Sequence, residues 1–151
     1  MTVVLFLTHR FLTTDTSSST DHDVDDIRIT PVFFPELHTY EFWIGDWQDV
    51  EPMARHYFPL IKSAPNLSMI HIEVTRETKD SDISIIRDSS GWKEVDLQLC
   101  RLATGARGTV TLVLDVVLGH ELSKRKDVFG VLDGTKFLSE FLKAGGLIRF
   151  E

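Results

Sequence analysis

The sequence predicts an α/β fold in which irregular βα units build a mainly parallel sheet. Between residues 58 and 74, a helix-like segment leads through a Pro-Asn turn into a strand with apolar residues at every second position. Strand-like runs alternate with helix-like segments along the chain, and they centre on Phe42, Ile70, Leu112 and Ile148. This alternation favours parallel strands joined by right-handed crossovers. The unequal intervals between the centres indicate irregular repeats or an open α/β sheet.

Length and composition are those of a single domain spanning residues 1–151. The 151 residues, 42% of them hydrophobic, suffice for one core. The net charge of −7 argues against a nucleic-acid partner, because phosphate binding depends on clustered Lys and Arg. No run reaches the ~18 apolar residues of a membrane span, and the apolar start at Met1–Leu7 lacks the basic lead of a signal peptide. We therefore expect a cytoplasmic or nuclear protein with no membrane partner.

The N-terminal elements are predicted from apolar runs and their interruptions. Val3–Thr8 indicates a first buried strand. Residues 13–26 hold three consecutive serines and five aspartates but no Lys or Arg, so they bury too little apolar surface to fold, and we expect a mobile loop. Ile27–Ile29 indicates a brief strand. The residues around Phe42 alternate in polarity after a Pro-x-Leu turn, which predicts the next strand.

Helical spacing and turn residues define the middle of the chain. Asp49–Ser63 is predicted as a helix whose first residue is the N-cap, and Pro59 is expected to kink it or end it early. Met69–Val74 is predicted as a strand because its apolar residues alternate. The charged segment Thr75–Ser90 is predicted as a loop, in which Ile83–Ile86 indicates a short extra element.

The C-terminal part repeats the order of helix and strand twice. Trp92–Ala103 is predicted as an amphipathic helix that Gly105 caps. Thr109–Val116 is predicted as a strand, and Thr135–Ala144 as a third helix. A Gly-Gly pair ends this helix, and Leu147–Glu151 supplies the last strand.

Five motifs also occur in a recognisable order. They are Phe34-Pro35-Glu36-Leu37, Ala64-Pro65-Asn66-Leu67, Trp92-x-x-Val95-Asp96-x-x-Leu99, Thr109-Val110-Thr111-Leu112-Val113-Leu114, and Phe137-Leu138-x-x-Phe141-Leu142-x-x-Gly145-Gly146-Leu147-Ile148-Arg149-Phe150. This order resembles the C-terminal, leucine-rich-repeat-like portion of the F-box-type proteins of mushroom-forming (basidiomycete) fungi. The resemblance covers the larger part of the chain.

The resemblance implies a function in protein recognition. It implies leucine-rich-repeat-like βα units that form the substrate-recognition part of an F-box-like ubiquitin-ligase subunit. Members of that family typically carry an N-terminal F-box, a helical module that docks on a ubiquitin-ligase adaptor. The first 30 residues here are strand-like and then polar. The resemblance therefore implies the repeat portion alone, and it leaves adaptor binding in doubt.

Period-two alternation identifies the residues expected to contact a partner. It sends Phe42 to one face of the sheet and Trp43 to the other, and in a curved repeat sheet the second face is open. The exposed side chains of this second face are predicted to be those of Glu41, Trp43, His71, Glu73, Thr111, Asp115 and Arg149, together with Val113 and Glu151. A Trp ringed by polar and acidic groups is typical of a binding hot spot, and the acidic groups favour a basic partner surface. The alternative is that helices cover both faces and Trp43 lies in the core.

Catalytic and metal-binding patterns are weak by comparison. The acidic segment 21–26 lacks the Gly and Glu of a calcium loop, and the histidines form no His-x-x-x-His pair, so we expect no metal and no cofactor. Cys100 lies beside an apolar helix face and is expected to pack there. The alternative to a non-enzymatic protein is a small α/β enzyme with its site at the strand C-terminal ends, where Asp46, Asp115 and His120 are the candidates.

Overall fold

The computed structural model describes residues 2–7, 32–79, 81–82, 91–120 and 138–151. Its strands are β1 (Thr2–Leu7), β2 (Val32–Phe33), β3 (Thr39–Ile44), β4 (Ile61–Ser63), β5 (Met69–Thr78), β6 (Thr111–Leu118) and β7 (Leu147–Phe150). Its α-helices are α1 (Val50–His56), α2 (Gly91–Gly105) and α3 (Ser139–Lys143), and two 3-10 turns, Trp47–Asp49 and Phe58–Leu60, flank α1. The predicted segments 13–26, Ile27–Ile29 and Ile83–Ile86 lie outside the described residues.

The main sheet has five parallel strands in the order β1-β3-β5-β6-β7. Each of these strands pairs with the next along the sequence, and their registers line up, so that Thr39, Met69, Thr111 and Leu147 lie in one row. The predicted α/β class with a mainly parallel sheet is confirmed. The leucine-rich-repeat-like character of the units stays a prediction.

One face of the sheet and the helices share a single hydrophobic core. Phe42, Ile72 and Leu114, from the three central strands, are fully buried, as are Leu99 of α2 and Phe141 of α3. These positions alternate along each strand with residues outside the core, as the pleat requires. The helices therefore attach to the face formed by the even-numbered residues of β3, β5, β6 and β7.

The predicted helix Asp49–Ser63 is too long. The α-helix ends at His56, a 3-10 turn containing Pro59 follows, and Ile61–Ser63 is strand β4, which pairs in parallel with β2. The N-cap residue of α1 is Asp49, as predicted, although its side chain makes no capping hydrogen bond. The preceding 3-10 turn is capped by Asp46, whose carboxylate accepts a hydrogen bond from the Gln48 N–H at 3.3 Å. Proline removes a donor and disfavours continued helix, so the residues after it are free to pair with another strand.

The other boundaries agree with the predictions within a few residues, apart from a longer β5. This strand extends to Thr78, so the first four residues of the predicted loop Thr75–Ser90 are strand instead. Thr78 is buried, and its hydroxyl accepts a hydrogen bond from the Trp47 indole N–H at 2.9 Å. Gly145 adopts a φ of +86°, a left-handed conformation that suits glycine at the end of α3.

A buried carboxylate on α2 fixes the start of α3. Asp96 is 8% exposed, and its two oxygens accept hydrogen bonds from the backbone N–H groups of Glu140 at 3.0 Å and Phe141 at 2.8 Å. The first turn of a helix leaves such N–H groups without partners in the helix itself. Asp96 therefore caps α3 from a neighbouring element and helps to position the chain that enters β7.

Candidate functional site

On β3, β5, β6 and β7, the second face of the main sheet carries the odd-numbered residues. They are Thr39, Glu41, Trp43, Met69, His71, Glu73, Thr111, Val113, Asp115, Val117, Leu147, Arg149 and the adjoining Glu151. None of them belongs to the core cluster that the described helices share with the sheet. The prediction that Val113 is exposed is wrong, because this side chain is only 3% exposed. Trp43, Val117 and Leu147 are 38%, 55% and 57% exposed. We call this surface the open face.

All seven residues predicted to contact a partner lie on the open face. Strand pairing sets Glu41 beside His71 and Trp43 beside Glu73. Strand pairing also sets Asp115 beside Glu73. The remaining two predicted residues, Thr111 and Arg149, lie at other register positions of the same face. Since Trp43 is partly exposed on this face, the alternative that places it in the core does not hold.

One row across the open face combines an indole with carboxylates. Pairing aligns Trp43, Glu73 and Asp115 on three neighbouring strands. Glu151 extends this row, because its N–H donates to the Leu114 carbonyl at 3.0 Å and its own carbonyl accepts from the Val116 N–H at 3.1 Å. Adjacent strands are about 4.8 Å apart, so the four side chains are neighbours along one line.

The carboxylates on β6 and after β7 have cationic or titratable neighbours. The Arg149 guanidinium forms an ion pair with Glu151. The His71 Nε2 atom lies 3.8 Å from the Asp115 Oδ2 atom, which is too long for a hydrogen bond. Among the described residues, no hydrogen-bond partner reaches this buried nitrogen.

The other two carboxylates of the open face, those of Glu41 and Glu73, lie next to Trp43. Within the described ranges, neither Glu41 nor Glu73 forms a side-chain hydrogen bond or an ion pair. Glu41 precedes Trp43 by two residues on the same strand, and Glu73 is beside it on the neighbouring strand. Trp43 is thus flanked by two carboxylates, one on its own strand and one on the neighbouring strand.

The three candidate catalytic residues, Asp46, Asp115 and His120, have different surroundings. Asp46 caps a 3-10 turn and forms an ion pair with Arg76 at 2.6 Å. Asp115 lies on the open face, and His120 is an exposed residue after β6. The described cavity, of about 430 Å³, lies between β4 and the end of α2 and includes none of the three.

Two features are absent from the described part of the chain, a cluster of metal-ligating side chains and a membrane-spanning helix. There, no group of three or more His, Cys, Asp or Glu side chains could hold a metal ion. Nor is any helix of that part long and apolar enough to cross a membrane.

No protein-family model, curated protein or solved structure matches the chain.

The prediction missed three apolar residues of the open face. Met69, Val117 and Leu147 belong to the same alternation as the predicted residues. Leu147 precedes Arg149 by two residues, and Val117 follows Asp115 by two residues. The period-two pattern contains the signal for these residues, but it has to be followed to the end of each strand.

Proposed function

We propose that this chain is a non-enzymatic protein-interaction domain that recognises a partner protein across the open face. The observation that carries the proposal is the position of Trp43, partly exposed on a sheet face whose other side is joined to the helices. Tryptophan dominates binding hot spots because it buries a large area with few rotatable bonds. The apolar side chains of Val117 and Leu147 extend the contact area along the same face.

The geometry suits recognition because its side chains stand on paired strands. A parallel sheet that packs against helices on its other face moves little, so binding orders few additional groups. Glu41, Glu73 and Asp115 give the face an acidic character that favours a basic partner surface and excludes an acidic one.

The resemblance to fungal F-box-type proteins suggests a biological setting for this interaction. In that setting the open face selects a protein for ubiquitin transfer, and the partner on this face is the substrate. An adaptor would bind a different part of the assembly, because the sequence does not predict the helical F-box module that members of that family typically carry. Recovery of a ubiquitin-ligase adaptor together with the captured partner supports this setting.

The proposal is tested by affinity capture from a matched lysate with three forms of the chain. Wild type is compared with Trp43→Ala and with Leu97→Ala, whose side chain is 57% exposed on α2. Circular dichroism first establishes that both variants are folded. We expect a partner that wild type and Leu97→Ala retain and Trp43→Ala loses. Equal capture by all three forms, or none by any, would contradict the proposal.

A further inference from the structure

We propose that the cavity between β4 and the end of α2 binds a small organic carboxylate, whose charge lies near Lys62 and Arg101. The cavity measures about 430 Å³, and small-molecule sites typically measure about 300–1,000 Å³. Three of its lining residues, Lys62, Ser63 and Ala64, belong to β4 and the turn after it, and the others belong to the end of α2. None of them belongs to the open face, so this inference goes beyond the proposed function and does not depend on it.

The lining carries two cationic side chains and no acidic one. Lys62 is exposed, and within the described residues its ammonium forms neither a hydrogen bond nor an ion pair. The chain as a whole has a net charge of −7, so two cations without a carboxylate beside them are a local exception. Elsewhere, carboxylates form ion pairs with Arg55, Arg76, Lys143 and Arg149.

Neutral acceptors hold Arg101 in a fixed position. Its guanidinium donates to the carbonyl oxygens of Phe58 and Ile61 at 2.8 Å and to the Gln98 side chain at 3.1 Å. Burial lowers the pKa of Arg101, and no carboxylate acts in the opposite direction. Because these acceptors carry no net charge, an anion in the cavity meets a positive charge that is already ordered, which reduces the entropic cost of binding.

The balance of charge and donors favours a carboxylate over a phosphate. The carbonyl end of α2 contributes about half a negative charge, against the two positive charges of Lys62 and Arg101. Of the five N–H donors of a guanidinium, most already serve backbone and side-chain acceptors, so the bidentate contact that favours phosphate is not available at Arg101. A monoanion with two oxygens suits this donor set, to which the unpartnered Ser63 hydroxyl adds one more donor among the described residues.

The remaining lining accepts the uncharged part of the ligand. Ala64 and Leu102 are each 3% exposed and form an apolar wall, and Gly105 adds no side chain to it. Exposed ion pairs contribute little affinity by themselves. Burial of an alkyl chain against this wall supplies the rest. The expected ligand is therefore both singly charged and partly apolar.

The first experiment titrates the whole chain with sodium hexanoate and follows backbone amide signals in ¹H–¹⁵N NMR spectra. Hexan-1-ol tests the alkyl chain without the charge, and sodium acetate tests the charge without the alkyl chain. We expect hexanoate to shift the amides of Ser63, Leu102 and Gly105 saturably, to leave Val117 on the open face unchanged, and to bind more tightly than either control. Equal binding of hexan-1-ol, tighter binding of inorganic phosphate, or no saturable shift with hexanoate would overturn the inference.

Two lysine variants then test the location of the charge. Lys62→Gln should weaken hexanoate binding about two- to fivefold. Lys93→Gln is the matched control, because Lys93 is also exposed and forms no ion pair within the described residues. It lies eight residues before Arg101 on α2, about 12 Å along the helix, which exceeds the screening length of about 8 Å at physiological salt. Lys93→Gln should therefore change binding less than about twofold, and equal effects of the two variants would contradict the proposed site.

Trp43→Ala separates this inference from the proposed function. The variant should bind hexanoate as wild type does, whatever it does to the capture of a protein partner. A loss of hexanoate binding in folded Trp43→Ala would show that the ligand lies on the open face, and it would overturn the cavity site.

Discussion

The two faces of the main sheet are built from the same strands, yet their side chains have different surroundings. On β3, Phe42 is fully buried in the core, whereas Trp43, the next residue, is 38% exposed on the open face. On β6, Leu114 is fully buried and Val117 is 55% exposed. Because successive side chains point to opposite faces, one strand can hold the fold together and present a binding surface. Substitutions on the helix face should thus change stability, and those on the open face should change binding.

The sharpest test of this difference compares two adjacent aromatic residues. Phe42 packs edge-on against Tyr40, with ring centroids 4.2 Å apart, and against Phe58 at 5.0 Å. Phe42→Ala should lower the free energy of unfolding by about 3–5 kcal/mol, because it leaves a cavity in the core. Trp43→Ala should cost about 1 kcal/mol. Urea unfolding of both variants measures the difference, and equal losses would show that the two faces are not distinct.

The capping carboxylate Asp96 provides the next largest effect on the helix side. Asp96→Ala should destabilise the chain by about 2 kcal/mol, because the N–H groups of Glu140 and Phe141 lose their acceptors. Asp96→Asn keeps one acceptor oxygen and should lose less. Hydrogen exchange at these two amides checks the mechanism. If Asp96→Ala left the exchange of both amides unchanged, the capping interaction would not stabilise α3.

A smaller contrast concerns two arginines, one on each side of the sheet. Arg101 donates hydrogen bonds of 2.8 Å to the carbonyl oxygens of Phe58 and Ile61. It therefore links α2 to the second 3-10 turn and to the start of β4. Arg101→Met should cost about 1 kcal/mol. Arg149→Met removes an exposed ion pair with Glu151 and should cost less than about 0.5 kcal/mol. Thermal unfolding ranks the two variants, and the reverse order would contradict this assignment.

One effect appears only in alkaline solution. Burial, with a second contribution from Tyr57, raises the pKa of Tyr40 above its ordinary value of 10.0. Above pH 10 the unfolded chain loses this proton while the folded chain keeps it, so stability falls as the pH rises further. Tyr40→Phe should show a shallower decline of stability above pH 10 than wild type. Parallel declines in urea titrations from pH 8 to 11 would exclude this role.

The sequence predicted the strand faces well because alternation is a local signal. Every predicted contact residue, from Glu41 to Arg149, lies on the open face, since each strand was placed within a few residues of its observed range. Shifting a strand by one residue would have exchanged its faces. Alternation is less sensitive to where a strand begins or ends, so small boundary errors left the faces unchanged.

The features that the sequence did not reveal depend on partners far along the chain. Ile61–Ser63 is a strand because Val32–Phe33 pairs with it, and no local pattern distinguishes three such residues from the end of a helix. In the sequence, Asp96 is an ordinary polar residue of an amphipathic helix. Only the position of α3 next to α2 shows that Asp96 accepts hydrogen bonds from the first turn of α3.

We propose that the open face, and not the helix side, contacts the partner. The most direct test places a photo-crosslinking amino acid at position 117 on the open face or at position 97 on α2. The native residues at these positions, Val117 and Leu97, are 55% and 57% exposed, so the two probes are matched in accessibility. We predict a discrete crosslinked adduct from position 117 that Trp43→Ala abolishes, and no such adduct from position 97. An adduct formed from position 97 alone, or equally from both positions and unaffected by Trp43→Ala, would contradict the account.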